Sequence, residues 1–192
     1  MGTALALIFG LIIFLVVVVL LYIYKTQRQL VSIDELCKNA LSQIAVQLNS
    51  RWDALLAAAK LAAQYSKHES ETLINVINAR RGATATTAEE VQQQQGELSQ
   101  VLGRLLAIGE AYPDLKASDL FSKAMDSVNS YEENVRMSRM VYNDTATKMN
   151  RLVRMWPSSF VASMLNFREK DYLKVDEEKK TNYPNLDEAF GK

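Results

Sequence analysis

The sequence predicts an all-α protein, with an N-terminal transmembrane helix followed by an antiparallel bundle of long helices with a coiled-coil-like seam. Three observations favour this fold class. The first 24 residues contain no acidic or basic side chain. The rest of the chain is poor in Gly and Pro and rich in residues that favour helices. One long segment near the C-terminus carries its core candidates at alternating spacings of three and four.

The apolar segment at the N-terminus is the predicted membrane anchor, which we assign to residues 1–28. Residues 4–24 read ALALIFGLIIFLVVVVLLYIY, and roughly 20 apolar residues in a helix cross the hydrocarbon core of a bilayer. A cleaved signal peptide would instead place basic residues before a shorter apolar run and end in small residues. Here Lys25 and Arg28 follow the run. We therefore expect a retained anchor that contacts the lipid bilayer.

The basic residues near the anchor lie on its C-terminal side only. Lys25, Arg28 and Lys38 follow the span, and no Lys or Arg precedes it. Positive charge close to a span favours the cytoplasmic side. We therefore predict a single-pass membrane protein, with its N-terminus outside and its body in the cytoplasm. The single Cys37 has no partner for an internal disulfide, which suits a reducing compartment.

Residues 29–167 are predicted to form the helical bundle. Ser32 and Glu35 have the spacing of a capping box and could begin a helix. Nothing between Tyr24 and Val31 would interrupt a helix that continues from the anchor, so both interpretations stay open. A second cap candidate at Ser66 leaves it undecided whether residues 32–81 form one helix or two. The net charge is zero and no basic stripe is present, so we expect no nucleic-acid partner.

The middle of the bundle has clearer boundaries. Residues 83–87 (ATATT) are predicted to be a loop. Thr87 and Glu90 form a strong capping-box pattern at the start of the next helix. That helix should stop at Tyr112, because Pro113 disfavours α geometry in the residue before it.

The last long helix is predicted from about residue 118 to residue 156. Its stripe alternates steps of three and four over five heptads, which is typical of a coiled-coil-like seam. The members of the stripe are Phe121, Ala124, Val128, Tyr131, Val135, Ser138, Tyr142, Thr145, Met149, Leu152 and Trp156. Because several of them are polar, packing within the protein's own bundle is favoured over an autonomous dimer.

The region after this helix contains a candidate apolar contact patch. Pro157 should break the helix, and residues 158–167 should form a short apolar helix or turn. The patch consists of Trp156, Phe160, Met164 and Phe167. A cap over the end of the bundle core is the favoured interpretation, and contact with a membrane or a partner is the alternative. Residues 168–192 are densely charged and aperiodic, and we expect them to be mostly disordered.

No residue pattern indicates catalysis or cofactor binding. His68 is the single histidine and Cys37 the single cysteine, so the chain has no metal-ligand spacing. Glu110 and Asp114 flank the Tyr-Pro break without an accompanying base or nucleophile. We therefore expect no catalytic residue, no metal and no cofactor.

A ladder of small residues lies in the outer half of the anchor. Gly2, Ala6 and Gly10 repeat every four residues, a spacing that lets two membrane helices approach closely. Small residues are common in membrane helices for other reasons as well. We treat the ladder as a candidate oligomer contact in the membrane.

The chain resembles the LemA family of bacterial membrane proteins along essentially its whole length. The most specific stretch is Glu110 to Ala117, which reads EAYPDLKA. The remaining matches are Leu30 to Glu35; Arg51 and Asp53; Tyr65 to Glu69, with Leu73, Ala79 and Arg80; Leu105 to Gly109; Glu133 and Asn134; Arg139, Tyr142 and Asn143; Trp156 and Pro157; and Asn166 and Phe167.

The resemblance implies an N-terminal anchor in the bacterial cell (inner) membrane and a cytoplasmic antiparallel helical bundle, and it implies little about activity. The sequence departs from the family pattern at Leu56 and Ala57, where members usually have proline and asparagine. Without that proline, residues 50–60 should run as straight helix.

These observations predict a non-catalytic scaffold or adaptor of LemA type that self-associates at the membrane. The expected partners are the bilayer, further copies of the chain, and membrane or cytoplasmic proteins that the sequence does not identify. A membrane-shaping oligomer and an accessory subunit of a membrane enzyme are the alternatives.

Overall fold

The computed structural model describes residues 2–80 and 82–174, and this part of the chain is mostly helical and contains no strand. The helices are α1 (Gly2–Ala62), α2 (Lys67–Arg80), α3 (Ala88–Ala111), α4 (Pro113–Lys116), α5 (Asp119–Arg154) and α6 (Ser158–Met164). The all-α prediction, with a long apolar N-terminal helix followed by a bundle, is confirmed.

Helix α1 runs without interruption from the apolar segment into the bundle. Its 61 residues correspond to a rod about 90 Å long at 1.5 Å per residue. Ser32 lies inside this helix, so the capping-box interpretation is wrong and the continuous helix is correct. Leu30, Ile33 and Cys37 are buried on one face of α1. The core stripe therefore begins within two turns of the last apolar residue, and a break at Ser32 would disrupt it. Residues 50–60 are also helical, as expected.

The bundle is built around α1, which packs against α5, α2, α3 and α6. Helix α5 runs antiparallel to α1. Near the middle of their interface, the buried Arg51 guanidinium contacts the Glu132 carboxylate at 2.6 Å. Trp52 beside it is fully buried. The contact between α1 and α5 is the largest in the fold, so these two helices carry most of the core.

The predicted seam of α5 is largely correct. Val128, Val135 and Met149 are fully buried against the core, and Leu152 is half-buried. The prediction fails only at Trp156, which lies beyond the last residue of α5 and is exposed. The helix ends at Arg154, two residues before the position at which the stripe would bring Trp156 back to the core.

Helices α2 and α3 form a second layer on the distal part of α1. Residues 32–81 therefore include two helices, separated by a turn at residues 63–66. Gly82 has φ +83, a conformation that favours glycine.

At the start of α3 the Thr87 hydroxyl accepts from the Glu90 N–H, and the Glu90 carboxylate accepts from the Thr87 N–H. This confirms the predicted capping box, and Tyr112 ends α3 as expected.

Residues 168–174, which we call the strap, form an ordered extended segment instead of the disordered tail that their charge suggests. Two asparagines of α5 hold the strap's backbone. Asn150 accepts from the Lys170 N–H at 2.7 Å and donates to the Lys170 carbonyl at 2.9 Å. Asn143 makes the same pair of bonds with Leu173, both at 2.9 Å. The rest of the charged tail, residues 175–192, lies outside the described residues.

The spacing of these bonds follows from the geometry of a helix and an extended chain. Asn143 and Asn150 are seven residues apart on α5, which is about 10 Å at 1.5 Å per residue. Lys170 and Leu173 are three residues apart in extended chain, which is also about 10 Å. The strap runs antiparallel to α5. Each amide therefore meets one backbone N–H and one carbonyl, and it satisfies groups that burial would otherwise leave unpaired.

Side chains fasten the strap at further points. Leu173 is buried in the core, and the Tyr142 hydroxyl donates to the Asp171 carbonyl at 2.9 Å. Asp34 of α1 pairs with Lys170 at 2.7 Å and with Lys38. Burial opposes ionisation of Asp34, but the hydrogen bonds from the two lysines outweigh it and hold its pKa below the ordinary value. The strap is thus tied to both α1 and α5.

The seam can be tested with two methionines of α5 that differ in burial. Met149 is 0% exposed and Met140 is 53% exposed. We expect Met149→Ala to cost about 2–5 kcal/mol, because it removes buried apolar volume and leaves a cavity. Met140→Ala should cost little. The measurement is thermal unfolding of the full-length protein in detergent, followed by circular dichroism; equal losses would mean that the register of α5 is wrong.

The strap can be tested by removing both asparagine amides. In the Asn143→Ala/Asn150→Ala variant we expect the Lys170 and Leu173 amides to exchange with deuterium much faster, because their acceptors are gone. Asn129→Ala/Asn134→Ala is the matched control, since both of these asparagines are exposed on the same helix. Hydrogen exchange followed by mass spectrometry provides the comparison. Unchanged protection of the strap in the first variant would contradict this description.

Candidate functional site

The candidate site is a cavity at the end of the bundle that lies next to the apolar segment. Helix α1 leaves its apolar run there, α5 ends and α6 begins. Between them lies an open cavity of about 530 Å³. Tyr22, Lys25 and Gln29 line it from α1, and Lys148 and Arg151 line it from α5. The cavity therefore spans the point at which the chain changes from apolar to polar.

Three cations lie at this cavity: Lys25, Lys148 and Arg151. Among the described residues, no Asp or Glu forms an ion pair with Lys25, Lys148 or Arg151. All three are exposed, and none of the residues that line the cavity is acidic. Other cations of α5 differ, since Arg136 pairs with Glu133 and Arg154 with Glu169. The cavity thus carries positive charge that the described part of the protein leaves uncompensated.

Exposed apolar side chains lie at this cavity and on α6, the helix that follows it. Trp156 is 85% exposed, and Phe160 and Met164 are also exposed. Helix α6 buries Ser158, Val161 and Ala162 on the side that faces the core. Phe160 and Met164 lie one turn apart on its other side. The favoured interpretation, a cap over the core, therefore does not hold for Trp156, Phe160 and Met164.

Phe167 is separate from the other three members of the predicted patch. It is half-buried and packs against the core. The reason is the way α6 ends: Asn166 has φ +59, and the Phe167 N–H donates to the Ala162 carbonyl. This is a Schellman motif, which directs the following apolar residue back toward the helix. Of the four residues, Phe167 alone acts as a cap.

The small-residue ladder faces away from the rest of the protein. A Cβ added at Gly2 or Gly10 would meet no atom within 4 Å, and Ala6 is exposed. The three positions lie on one face of α1, as their spacing predicts. A second helix could approach them closely, but nothing in the described chain occupies that face.

The remaining candidates are dispersed. His68 is exposed near the start of α2, Glu110 is exposed near the end of α3, and Asp114 is exposed in α4. Cys37 lies on the face of α1 that is buried in the core, and this burial raises the pKa of its thiol. In the described ranges 2–80 and 82–174, no group of three or more His, Cys, Asp or Glu side chains is placed to hold a metal ion.

Sequence reasoning missed the residues that define this site from α5. Lys148 and Arg151 stand three apart in the last turns of α5, a spacing that indicates a shared helix face. The sequence alone does not place Lys25 across from them, because that requires the antiparallel register of α1 and α5. Asn143 and Asn150 were missed as well. Their seven-residue spacing predicts that they share one face of α5. It does not predict that the strap, residues 168–174, binds to that face.

Comparison with known proteins places the chain in a family. The model of the LemA family matches residues 40–187, well over half of the chain. With its apolar N-terminal helix and its bundle, this protein belongs to the LemA family.

Among curated proteins, the chain is similar to magnetosome protein MamQ of Magnetospirillum gryphiswaldense, at 30% identity over 77 residues. Magnetosome proteins MamQ 1 and MamQ 2 of Paramagnetospirillum magneticum match with the same identity and length. The matched stretch covers 40% of this chain but only 28% of each of these proteins.

Proposed function

We propose that this LemA-family protein is a non-catalytic scaffold or adaptor, anchored in the bacterial inner membrane by α1 and self-associating there. The observation that carries the proposal is the exposure of the apolar run. Every large apolar side chain from Leu7 to Leu21 is at least 46% exposed, and the bundle covers none of them. Only a lipid phase, or other helices within one, would shield so long a continuous apolar surface.

The position of the bundle supports a role in interaction more than one in chemistry. The bundle is a direct extension of the anchor, and it presents long helical faces parallel to α1. The titratable side chains that sequence analysis singled out are dispersed over it. A scaffold needs such surfaces in a fixed place near the membrane, whereas an enzyme needs converging groups around a pocket.

Confinement supports self-association. Copies held in a plane meet at high effective concentration, so weak contacts become populated without any new interaction energy. The face of Gly2, Ala6 and Gly10 offers one contact inside the bilayer, since small residues there allow close backbone approach. Self-association in the plane of the membrane is also what a membrane-shaping array requires. The number of subunits therefore tests that alternative as well.

Self-association is tested by adding bulk to the ladder. We expect the full-length protein to be a homo-oligomer in detergent and Gly10→Ile to weaken it, because the larger side chain holds the backbones apart. Ile8→Phe is the control, because it adds bulk on the opposite face of the same helix, two residues from both Ala6 and Gly10. Light scattering with the detergent contribution subtracted gives the subunit number. A monomeric wild-type protein would remove self-association and the membrane-shaping alternative together.

The cytoplasmic placement of the bundle rests on Lys25, Arg28 and Lys38 following the span. We expect a cysteine at the C-terminus (Lys192→Cys, in a Cys37→Ala background) to resist a membrane-impermeant thiol reagent in intact cells. The same cysteine should react after permeabilisation, which provides the control. Labelling in intact cells would reverse the orientation.

A further inference from the structure

We propose that the cavity between α1, α5 and α6 binds the headgroup of an anionic phospholipid of the membrane in which the protein is anchored. The inference rests on the anchoring of α1 proposed above and adds a defined ligand class and a site. Its evidence is the position of the cavity, its uncompensated charge and its exposed aromatic border.

The position of the cavity matches the headgroup layer. Tyr22, at one end of the lining that α1 provides, belongs to the apolar run, and Ile33, at the other end, lies beyond it. These residues are eleven apart on a continuous helix, which is about 16 Å along its axis. Lys25 and Gln29 lie in the part of this lining that directly follows the apolar run. The headgroup region on each side of the hydrocarbon core is roughly 5–8 Å deep. With α1 across the bilayer, the cavity opens at the level of the lipid phosphates.

The charge of the cavity fits a phosphate group. Lys148 and Arg151 lie on one face of α5, and Lys25 faces the same space from α1. A phosphodiester would offer acceptors to the ammonium groups of the lysines and to the forked donors of Arg151. A lipid is the favoured source of this phosphate, because the anchor keeps the site among headgroups at high local concentration.

The border of the cavity fits the zone where headgroups meet acyl chains. Trp156 and Met155 line the cavity and are largely exposed. Tryptophan side chains prefer this zone, since the ring is apolar and its N–H remains hydrogen-bonded. Phe160 and Met164 extend the apolar surface along α6. A neutral lipid would satisfy the apolar border alone, whereas an anionic lipid satisfies the border and the cations.

The test uses the full-length protein in nanodiscs that contain equal amounts of phosphatidylglycerol and phosphatidylcholine. After mild detergent extraction, native mass spectrometry counts the lipids of each class that remain bound. The variant is Lys148→Gln/Arg151→Gln, which removes two charges at exposed positions. The matched control is Lys60→Gln/Lys123→Gln, which removes two exposed charges from the same two helices near the distal end of the bundle. Unfolding curves establish that all three proteins are folded.

We expect the wild type and the control to retain phosphatidylglycerol in preference to phosphatidylcholine. The variant should lose about thirtyfold of that preference, because each of the two cations that it removes contributes roughly 1 kcal/mol to anionic-lipid binding near a membrane surface. No preference in the wild type, or an equal preference in the variant, would overturn the proposal. Displacement of phosphatidylglycerol by excess inorganic phosphate would assign the cavity to a soluble anion and also overturn it. Entry into the nanodisc reports on the anchor separately, so a failed anchor and a failed headgroup site give different results.

Discussion

The unbroken hydrogen-bond ladder of α1 is the constraint on which the rest of the structure depends. One helix supplies both the apolar segment and the central element of the bundle, with no linker between them. The buried stripe starts at Leu30, only six residues after the last apolar residue of the run. Helices α2, α3, α5 and α6 all pack on α1. The direction of one rod therefore sets the orientation of the whole protein relative to a bilayer.

This constraint explains why the cation cavity lies at one end of the bundle. An antiparallel partner of α1 must end near the apolar segment of α1, so the last turns of α5 bring Lys148 and Arg151 to Lys25. The chain then turns at Pro157, and α6 packs back against α1 and presents Phe160 outward. The strap leaves along the groove between α1 and α5, held by Asn143, Asn150 and Asp34. It leads the chain away from this end, toward residue 174.

The elements that could be predicted from the sequence are those determined by neighbouring residues. The Thr87 capping box, the stop before Pro113 and the seam of α5 each follow from a few neighbouring residues, and each is present. Ser32 misled because a capping pattern is only a preference. Here the apolar stripe on both sides of it favours an uninterrupted helix, and burying that stripe outweighs a single cap.

The failures share a different cause, which is dependence on tertiary partners. The strap has the composition of a disordered segment. It is ordered because two asparagines, 20 and 30 residues before the strap residues they bind, match its backbone spacing. Trp156 continued the periodic pattern, but α5 ends two residues before it and leaves it exposed. The cation cavity requires the register of α1 against α5, which no single segment of the sequence encodes. The long apolar N-terminal helix could be predicted without any partner, because its length and composition suffice.

The most direct test of this account is the distance between the two halves of α1. Spin labels at Leu15→Cys and Val46→Cys, in a Cys37→Ala background, lie on the apolar and bundle portions at exposed positions. In nanodiscs, pulsed electron paramagnetic resonance should give one narrow distribution near 46 Å, the length of 31 residues of continuous helix at 1.5 Å each. A broad distribution at shorter distances would show a hinge between the anchor and the bundle, and it would contradict the account.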